Sequence, residues 1–371
     1  MKYIFINNKL KKLSKIGIGH LGIESSMIKH FNDRELIEQL DLALDCGMNF
    51  IDTAENYGHS EKIIGNTIKN FDRNKIYIAS KVSPENLKYN SVINSCEKSL
   101  KRLKTDYIDL YQIHWPNPDI ELEETLNAMM KLKNDGKINC IGVSNFPLLL
   151  LEKAKSLAEI DSIQMEYNLV DNDSAWSIKN YCDIHDMLFI AYSPLAFPFK
   201  THSEKWEVLN TLKAKHFVTQ YQIILNWIAF EGNNIISIPK SNNMKHILEN
   251  SSAMDFKLDW EDRMLLSSVF RTKVQKIKMK DIKVSGGGKE NRKSYSTIKE
   301  AKENLLNFVP SPNSLAEFDL EYSSGRLQPI KVTISSDINY KYELYEGRIK
   351  YWSNAIRFDG DMEQTINCIV I

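Results

Sequence analysis

The sequence predicts an α/β protein in which a (β/α)8 TIM barrel is followed by a small α+β domain. Eight short apolar runs alternate with amphipathic helical patterns up to about residue 270, and continuous apolar runs are typical of parallel strands buried on both faces. Eight βα units in roughly 250 residues is the usual size of such a barrel. A charge shift then marks a boundary, because residues 271–293 hold nine basic and two acidic residues in a chain with 48 of each.

The apolar runs are the predicted strands of the barrel. In chain order they cover residues 15–19, 50–54, 76–82, 107–114, 138–145, 162–168, 188–195 and 235–241. The amphipathic segments between them predict helices over residues 33–47, 91–103, 122–136 and 219–232. Gly47 and Gly136 end two of these segments, as glycine commonly does after the last turn of a helix.

An open doubly wound sheet is the alternative arrangement of the same strands. GIGHLG at residues 17–22 satisfies the GxGxxG pattern of a dinucleotide-binding turn. Such a turn should open a helix, whereas this sequence continues as a loop to about residue 32. No acidic residue closes a second strand at the expected distance, so the barrel is preferred.

The bulk features of the sequence exclude several classes of protein. No apolar run approaches the ~18 residues of a membrane span, and the N-terminal lysine cluster follows an apolar patch, unlike a secretory signal. The five cysteines show no CxxC spacing and the eight histidines no HExxH motif, which predicts free thiols in a reducing cytoplasm and no metal site. The balanced charge argues against nucleic-acid binding. We therefore expect a cytoplasmic protein without a membrane or nucleic-acid partner.

Four ionisable residues lie at the ends of consecutive predicted strands, where a barrel carries its active site. They are Asp52, Tyr57, Lys81 and His114. A tyrosine with its ordinary pKa of about 10 is a poor acid, but a nearby ammonium stabilises its phenolate and a carboxylate can hold that ammonium. Taken singly, each residue is more often structural. Together they suit proton donation to a carbonyl while a cofactor delivers hydride.

The sequence resembles the aldo-keto reductases over about residues 3–270. The resemblance is carried, in family order, by the motifs GMNFIDTAENYGHSEKIIG (47–65), YIDLYQIHWP (107–116), GVSNF (142–146), QMEYNL (164–169), AYSPL (191–195) and IPKSNNMKHILEN (238–250). It implies a barrel that binds a nicotinamide cofactor without a Rossmann fold and reduces carbonyls to alcohols. Asp52, Tyr57, Lys81 and His114 match the family's catalytic tetrad, with Tyr57 as general acid.

The resemblance also implies a cofactor site. Ser144, Asn145 and Gln164 match the residues that hold the nicotinamide carboxamide, and Tyr192 matches the ring that stacks on the nicotinamide. The matches at the diphosphate are Ser193, Pro194 and Leu195, those near the ribose phosphate are Lys240 and Ser241, and those at the adenine are Glu249 and Asn250.

His246 departs from the family pattern, which commonly has arginine there. Arginine is always charged and binds phosphate with two hydrogen bonds, whereas histidine is mostly neutral near pH 7. Lys240 keeps a cation in the motif, so we expect NADPH as cofactor and leave NADH open. The expected wall of the substrate pocket includes His20, Trp115 and Phe146.

The last hundred residues predict a second domain. Residues 271–293 read as a basic linker containing Gly286, Gly287 and Gly288. Residues 294–371 then read as an α+β module, with helical patterns over 296–309 and 348–358 and strand patterns over 327–334, 340–347 and 366–371.

The segments LQPIKV (327–332) and YELYEGRIKYWSNAI (342–356) resemble the ParB/sulfiredoxin-like domain. In that family a turn between a strand and a helix can hold phosphate, and the matching positions here are Gly347, Arg348 and Lys350. Sulfiredoxins need a cysteine in this turn and the sequence has none there. A module used only for packing or oligomerisation is the alternative.

These observations predict an NAD(P)H-dependent reductase that acts on a small carbonyl compound. The substrate class is an aldehyde, a ketone or a sugar, and a nucleotide-linked or phosphorylated sugar is one hypothesis because the second domain resembles nucleotide binders. Two alternatives stay open. One is an NADPH-binding sensor whose output is the C-terminal domain, and the other is a nucleotide-dependent transferase or kinase activity in that domain.

Overall fold

The structure, a computed structural model, describes residues 1–4, 12–19, 33–170, 173–195, 204–270, 274–284, 330–335, 337–346, 351–352 and 361–370. The chain divides into two compact units. The first consists of Met1–Asn172 and Ile178–Phe270, and the second of Asp173–Ser177 and Arg271–Ile371.

The first unit is built on a parallel sheet of eight strands. A short antiparallel pair, β1 (Tyr3–Ile4) and β2 (Leu13–Ser14), precedes it. The parallel strands are neighbours in chain order: β3 (Ile18–Gly19), β4 (Phe50–Asp52), β5 (Tyr77–Val82), β6 (Ile108–Ile113), β7 (Ile138–Ser144), β8 (Ser162–Glu166), β9 (Leu188–Tyr192) and β10 (Ile235–Ser237). Each lies within one of the eight apolar runs, so the predicted strands are confirmed.

The first and last strands meet at a parallel bridge between Ile16 and Ser237. The Gly17 amide donates to the Ser237 carbonyl over 2.8 Å, and the Ser237 amide donates to the Lys15 carbonyl over 3.0 Å. These bonds close the sheet on itself, as a (β/α)8 barrel requires. The alternative of an open doubly wound sheet is therefore wrong.

The interior of the barrel has an apolar layer and a polar layer. The apolar cluster consists of Ile4, Leu13, Phe50, Tyr77, Ala79, Leu110, Cys140, Leu188, Ile190, Ile236 and Ile238. Side chains two residues apart on a strand share a face. Two residues beyond Phe50, Ala79 and Leu110 the side chains are polar and buried, and Ser144 and Gln164 are buried polar residues near the ends of the next two strands. The members of this polar layer are Asp52, Lys81, Gln112, Ser144 and Gln164. The polar layer thus lies toward the carboxyl ends of the strands.

Helices accompany the strands along the chain. Among the described residues they are α1 (Asp33–Asp45), α2 (Ser60–Thr67), α3 (Tyr89–Leu103), α4 (Leu122–Asn134), α5 (Leu148–Leu157), α6 (Asp173–Ile184), α7 (Glu204–His216), α8 (Gln220–Ala229), α9 (Met244–Ser251) and α10 (Trp260–Phe270). Gly47 and Gly136 follow α1 and α4 with φ of +84° and +70°, as predicted for helix stops. Thr219 and Gln222 form a capping box at the start of α8.

The second unit contains a mixed sheet of five described strands. They are β11 (Val274–Lys278), β12 (Ile282–Lys283), β13 (Ile330–Ile334), β14 (Tyr342–Glu346) and β15 (Thr365–Val370), in the spatial order β11-β15-β13-β14-β12. β13 pairs in parallel with β15 and antiparallel with β14. The strands predicted over residues 327–334, 340–347 and 366–371 are present.

The segment predicted as a linker is structured over part of its length. β11 and β12 lie inside residues 271–293 and belong to the second sheet. Ile277, Met279 and Ile282 are buried there, whereas Lys276, Lys278 and Lys280 are exposed. The alternation begins in β11 and continues into the 3-10 turn Met279–Asp281, and the density of lysines conceals it in the composition.

Other predicted features of the C-terminal part lie outside the described residues. These are the helix over 296–309, the glycines 286–288 and the turn formed by Gly347, Arg348 and Lys350. Within the described part of the chain, no helix is long and apolar enough to cross a membrane.

Candidate active site

A buried ion pair lies in the polar layer of the barrel. Lys81, on β5, donates from Nζ to Asp52 Oδ1 over 2.7 Å and to the Thr53 carbonyl over 2.9 Å. The Lys81 side chain is inaccessible to solvent and that of Asp52 nearly so. Burial lowers the pKa of Lys81, and the Asp52 carboxylate opposes this effect. The pair therefore holds a positive charge in place inside the barrel.

Tyr57 reaches this ion pair from the turn that follows β4. The Tyr57 amide donates to the Ala54 carbonyl over 3.1 Å, which folds the chain back toward the strand ends. Lys81 Nζ lies 5.0 Å from the centroid of the Tyr57 ring. Burial, with a contribution from Asp52, raises the pKa of Tyr57 well above its ordinary value. The phenol consequently keeps its proton at neutral pH.

His114 directly follows β6 and faces the tyrosine. Its Nε2 atom lies 3.3 Å from the Tyr57 hydroxyl, and the two rings meet edge to face with centroids 5.4 Å apart. Burial, and secondarily the charge of Lys81, lowers the pKa of His114 to about 4. A neutral imidazole beside a protonated phenol can hydrogen-bond the same oxygen atom without adding charge.

The residues predicted at the carboxamide lie next to these four. Asn145 Nδ2 donates to the His114 carbonyl over 3.1 Å and to Ser144 Oγ over 3.0 Å, and the Tyr192 hydroxyl donates to Asn145 Oδ1 over 2.9 Å. Gln164 Nε2 donates to Asp52 Oδ2 over 2.9 Å. The side-chain amides of Asn145 and Gln164 and the hydroxyl of Ser144 can each donate or accept hydrogen bonds beside the tetrad. A carboxamide also has a donor and an acceptor, so these residues fit a nicotinamide.

The remaining predicted cofactor residues follow β9 and β10. Ser193 is exposed with φ of +49°, Pro194 is buried and Leu195 is half-buried. Asn243 caps α9 by accepting from the Lys245 and His246 amides. The other predicted residues lie before α9 or on it: Lys240, Ser241, Glu249 and Asn250. A helix N-terminus with a lysine before it suits an anionic group, and burial lowers the pKa of Lys240.

The pattern of the aldo/keto reductase family matches residues 15–269. The chain belongs to this family. The prediction of an NAD(P)-dependent oxidoreductase is thereby confirmed, whereas the family match ends before the second unit's C-terminal residues.

Two curated relatives of this reductase are named after small dicarbonyl substrates. The glyoxal reductase of Bacillus subtilis is 35% identical over 249 residues, which are 66% of this chain and 88% of the relative. A methylglyoxal reductase of Salmonella typhi is 33% identical over 242 residues, 64% of this chain and 88% of the relative.

Solved structures of the family have the same fold. The thermostable aldo-keto reductase Tm1743, in complex with the inhibitor epalrestat, is 38% identical with a TM-score of 0.68, covering 72% of this chain and all of the other. An aldo-keto reductase from Klebsiella pneumoniae in complex with NADPH is 28% identical with a TM-score of 0.65, covering 72% of this chain and 95% of the other.

The residues predicted to line the substrate pocket of the reductase have different environments. Trp115 is 42% exposed and directly follows His114 at the end of β6, and its place in the pocket wall stays a prediction. Phe146 is 0% exposed, so the structure encloses its ring in the protein interior instead of presenting it to a substrate. His20 lies outside the described residues. In the described part of the chain, no group of three or more potential ligands could hold a metal ion.

Sequence reasoning missed Glu55 in the reductase site. Glu55 Oε1 accepts from the Ser83 amide over 2.7 Å and from Asn86 Nδ2 over 3.0 Å. These bonds tie the turn that carries Tyr57 to the residues just after Lys81 on β5. Glu55 could have been identified from its position in the sequence, since it is a carboxylate between Asp52 and Tyr57.

Proposed function

We propose that this reductase uses NADPH to reduce short aldehydes and α-dicarbonyls of the glyoxal type, with Tyr57 as the general acid. The observation that carries the proposal is the placement of a protonated tyrosine between a buried ammonium and a neutral histidine. The names of the two curated dicarbonyl reductases support the substrate class.

The four residues have separate parts in the proposed proton transfer. The hydroxyl of Tyr57 donates its proton to the carbonyl oxygen, which becomes the alcohol, and the phenolate is then reprotonated from solvent. Lys81 stabilises that phenolate by its charge, and Asp52 holds Lys81 in position. His114 hydrogen-bonds the carbonyl oxygen and so orients the substrate.

The cofactor is proposed to bind along the residues after β7 to β10. When bound, NADPH supplies the hydride that the carbonyl carbon accepts. Ser144, Asn145 and Gln164 hold the carboxamide so that one face of the ring meets the substrate. Lys240 supplies a positive charge for the 2′-phosphate, and because His246 replaces an arginine we expect a smaller preference for NADPH over NADH than arginine would give.

A Tyr57→Phe variant tests the proposal. We expect it to bind NADPH with unchanged affinity, measured by quenching of protein fluorescence, and to lose methylglyoxal reduction by at least about a hundredfold. Binding without any turnover by the wild type on glyoxal, methylglyoxal and simple aldehydes would instead support the sensor alternative.

For the second unit we propose a ParB/sulfiredoxin-like domain over residues 294–371, after a barrel over 1–270, with β11 and β12 from the preceding segment completing its sheet. The strands at 330–334, 342–346 and 365–370 support an α+β module. Titration of the full chain with ADP, compared with an Arg348→Ala variant, tests whether its predicted turn binds a nucleotide. A cytoplasmic location likewise stays a prediction.

A further inference from the structure

A surface groove lies where α7, α8 and α9 meet. It encloses about 560 Å³, and its walls include Lys213 and Phe217 at the end of α7, Thr219 and Gln222 at the start of α8, and Glu249 on α9. Glu249 is also the residue matched to the adenine end of the cofactor. The groove is therefore adjacent to the proposed cofactor site and shares a side chain with it.

Phe217, which lines this groove, has an unusual backbone conformation. Its φ is +56°, a left-handed conformation that is unfavourable for a bulky side chain. The Val218 amide donates to the Lys213 carbonyl over 3.3 Å, which is the bond of a Schellman helix end, where glycine is the usual residue. The ring is 95% exposed. Neither the local conformation nor burial favours a phenylalanine at this position, which motivates the hypothesis that its ring contacts a ligand.

The polar residues of the groove complement a purine. A purine ring offers a flat face for stacking, an amino group that donates and ring nitrogens that accept. Phe217 provides an aromatic face, the Glu249 carboxylate can accept from the amino group, and the Lys213 ammonium can donate to a ring nitrogen. Glu249 Oε1 lies 3.8 Å from Lys245 Nζ on the same helix.

We propose that Phe217 and Lys213 form part of the binding site for the adenine of the cofactor, with Phe217 stacking on the base. This inference rests on the proposed use of NADPH. Stacking of the ring on the base would then compensate for the unfavourable left-handed backbone conformation of Phe217.

The test compares binding of NADPH, of 2′,5′-ADP and of nicotinamide mononucleotide to the full chain by titration calorimetry. We expect Phe217→Asn, which tolerates the left-handed conformation, to weaken NADPH and 2′,5′-ADP binding about tenfold, as loss of base stacking does. Binding of nicotinamide mononucleotide, which has no adenine, should not change. Phe217→Trp keeps a stacking ring and should retain wild-type affinity.

Stability provides the second readout. Phe217→Asn and Phe217→Gly should raise the melting temperature of the free protein, because both relieve the backbone strain. Equal affinity of the wild type and Phe217→Asn for 2′,5′-ADP would overturn the inference. Failure of the wild type to bind NADPH at all would instead overturn the proposed function, so the two failures are distinguishable.

Discussion

Lys81 and Asp52 form a hydrogen-bonded ion pair, 2.7 Å between Nζ and Oδ1, in which neither side chain has appreciable contact with solvent. The residues are on neighbouring strands of the barrel. Gln164 Nε2, 2.9 Å from the second oxygen of the same carboxylate, leaves Asp52 with a partner on each oxygen. A charged pair in this position needs such partners, because a buried charge without them is strongly unfavourable.

Asp52→Asn should therefore destabilise the protein as well as inactivate it. The substitution leaves a buried ammonium without its counter-charge, and we expect a loss of about 3–5 kcal/mol in the free energy of unfolding, measured by urea denaturation. The double variant Asp52→Leu with Lys81→Met removes both charges and should recover most of that loss while remaining inactive. A single variant as stable as the wild type would show that the ammonium is not buried as the structure describes.

His114 should make stability depend on pH in a defined range. Its pKa in the folded protein is about 4, below the ordinary value of about 6.5, so the unfolded chain binds a proton there more readily than the folded one. The contribution of the neutral imidazole is full above pH 6.5 and is lost as the pH falls toward 4. The difference corresponds to about 3 kcal/mol.

The measurement is the free energy of unfolding between pH 4 and pH 7. The wild type should lose stability more steeply on acidification than His114→Gln, which has no proton to take up at this position. The exposed His246, changed to Gln, is the matched control and should leave the slope unchanged. Parallel curves for the wild type and His114→Gln would contradict the burial of a neutral imidazole.

Gly142 should accommodate a side chain only at a cost in stability. A Cβ atom added there would lie 2.4 Å from Ser162 Oγ and 2.9 Å from Gln112 Cγ in the barrel interior. We expect Gly142→Ala to cost about 1–3 kcal/mol through overpacking, and a second change, Ser162→Gly, to recover part of it. Gly136→Ala meets no atom within 4 Å, so its cost of about 1–2 kcal/mol comes only from the φ of +70°. No recovery by Ser162→Gly would argue against the close contact.

Met279 should show that the basic segment after the barrel is part of a folded sheet. Its side chain is inaccessible, in a cluster with Ile277, Ile282 and Ile366. Met279→Ala should cost the second unit about 2–5 kcal/mol, whereas the exposed Lys276→Ala should change stability by less than about 0.5 kcal/mol. Hydrogen exchange at the amides of β11 reports both effects. If neither Met279→Ala nor Lys276→Ala changed the stability of the second unit, the segment would be an unfolded linker and not part of the sheet.

Much of the barrel could be predicted because its signals are local. Each strand is a continuous apolar run, and a run of this kind is recognisable without knowledge of its neighbours. Helix ends at Gly47 and Gly136 were predictable for the same reason, since a left-handed residue after a helix selects glycine. The segment around Met279 was not recognised, because its alternation is short and the many lysines dominate its composition.

The sequence was enough to predict which residues form the candidate site, but not which of them contact one another. Motifs at the strand ends identified Asp52, Tyr57, Lys81 and His114, yet no spacing indicates that Gln164 bonds to Asp52 across 112 residues. The burial of Phe146 was also invisible, since an apolar residue after a strand suits a pocket wall and an interior position equally well.

The sequence by itself determined which segments become strands and which residue types stand at their ends. Only the tertiary structure decided which of those residues meet, because the closure of the sheet at Ile16 and Ser237 brings strands distant in the chain around one interior. The same holds for Phe217: its residue type is plain in the sequence, but its exposed position beside Glu249 depends on how three helices pack. Local pattern fixes the elements, and the physical environment of each side chain depends on neighbours that the chain supplies from far away.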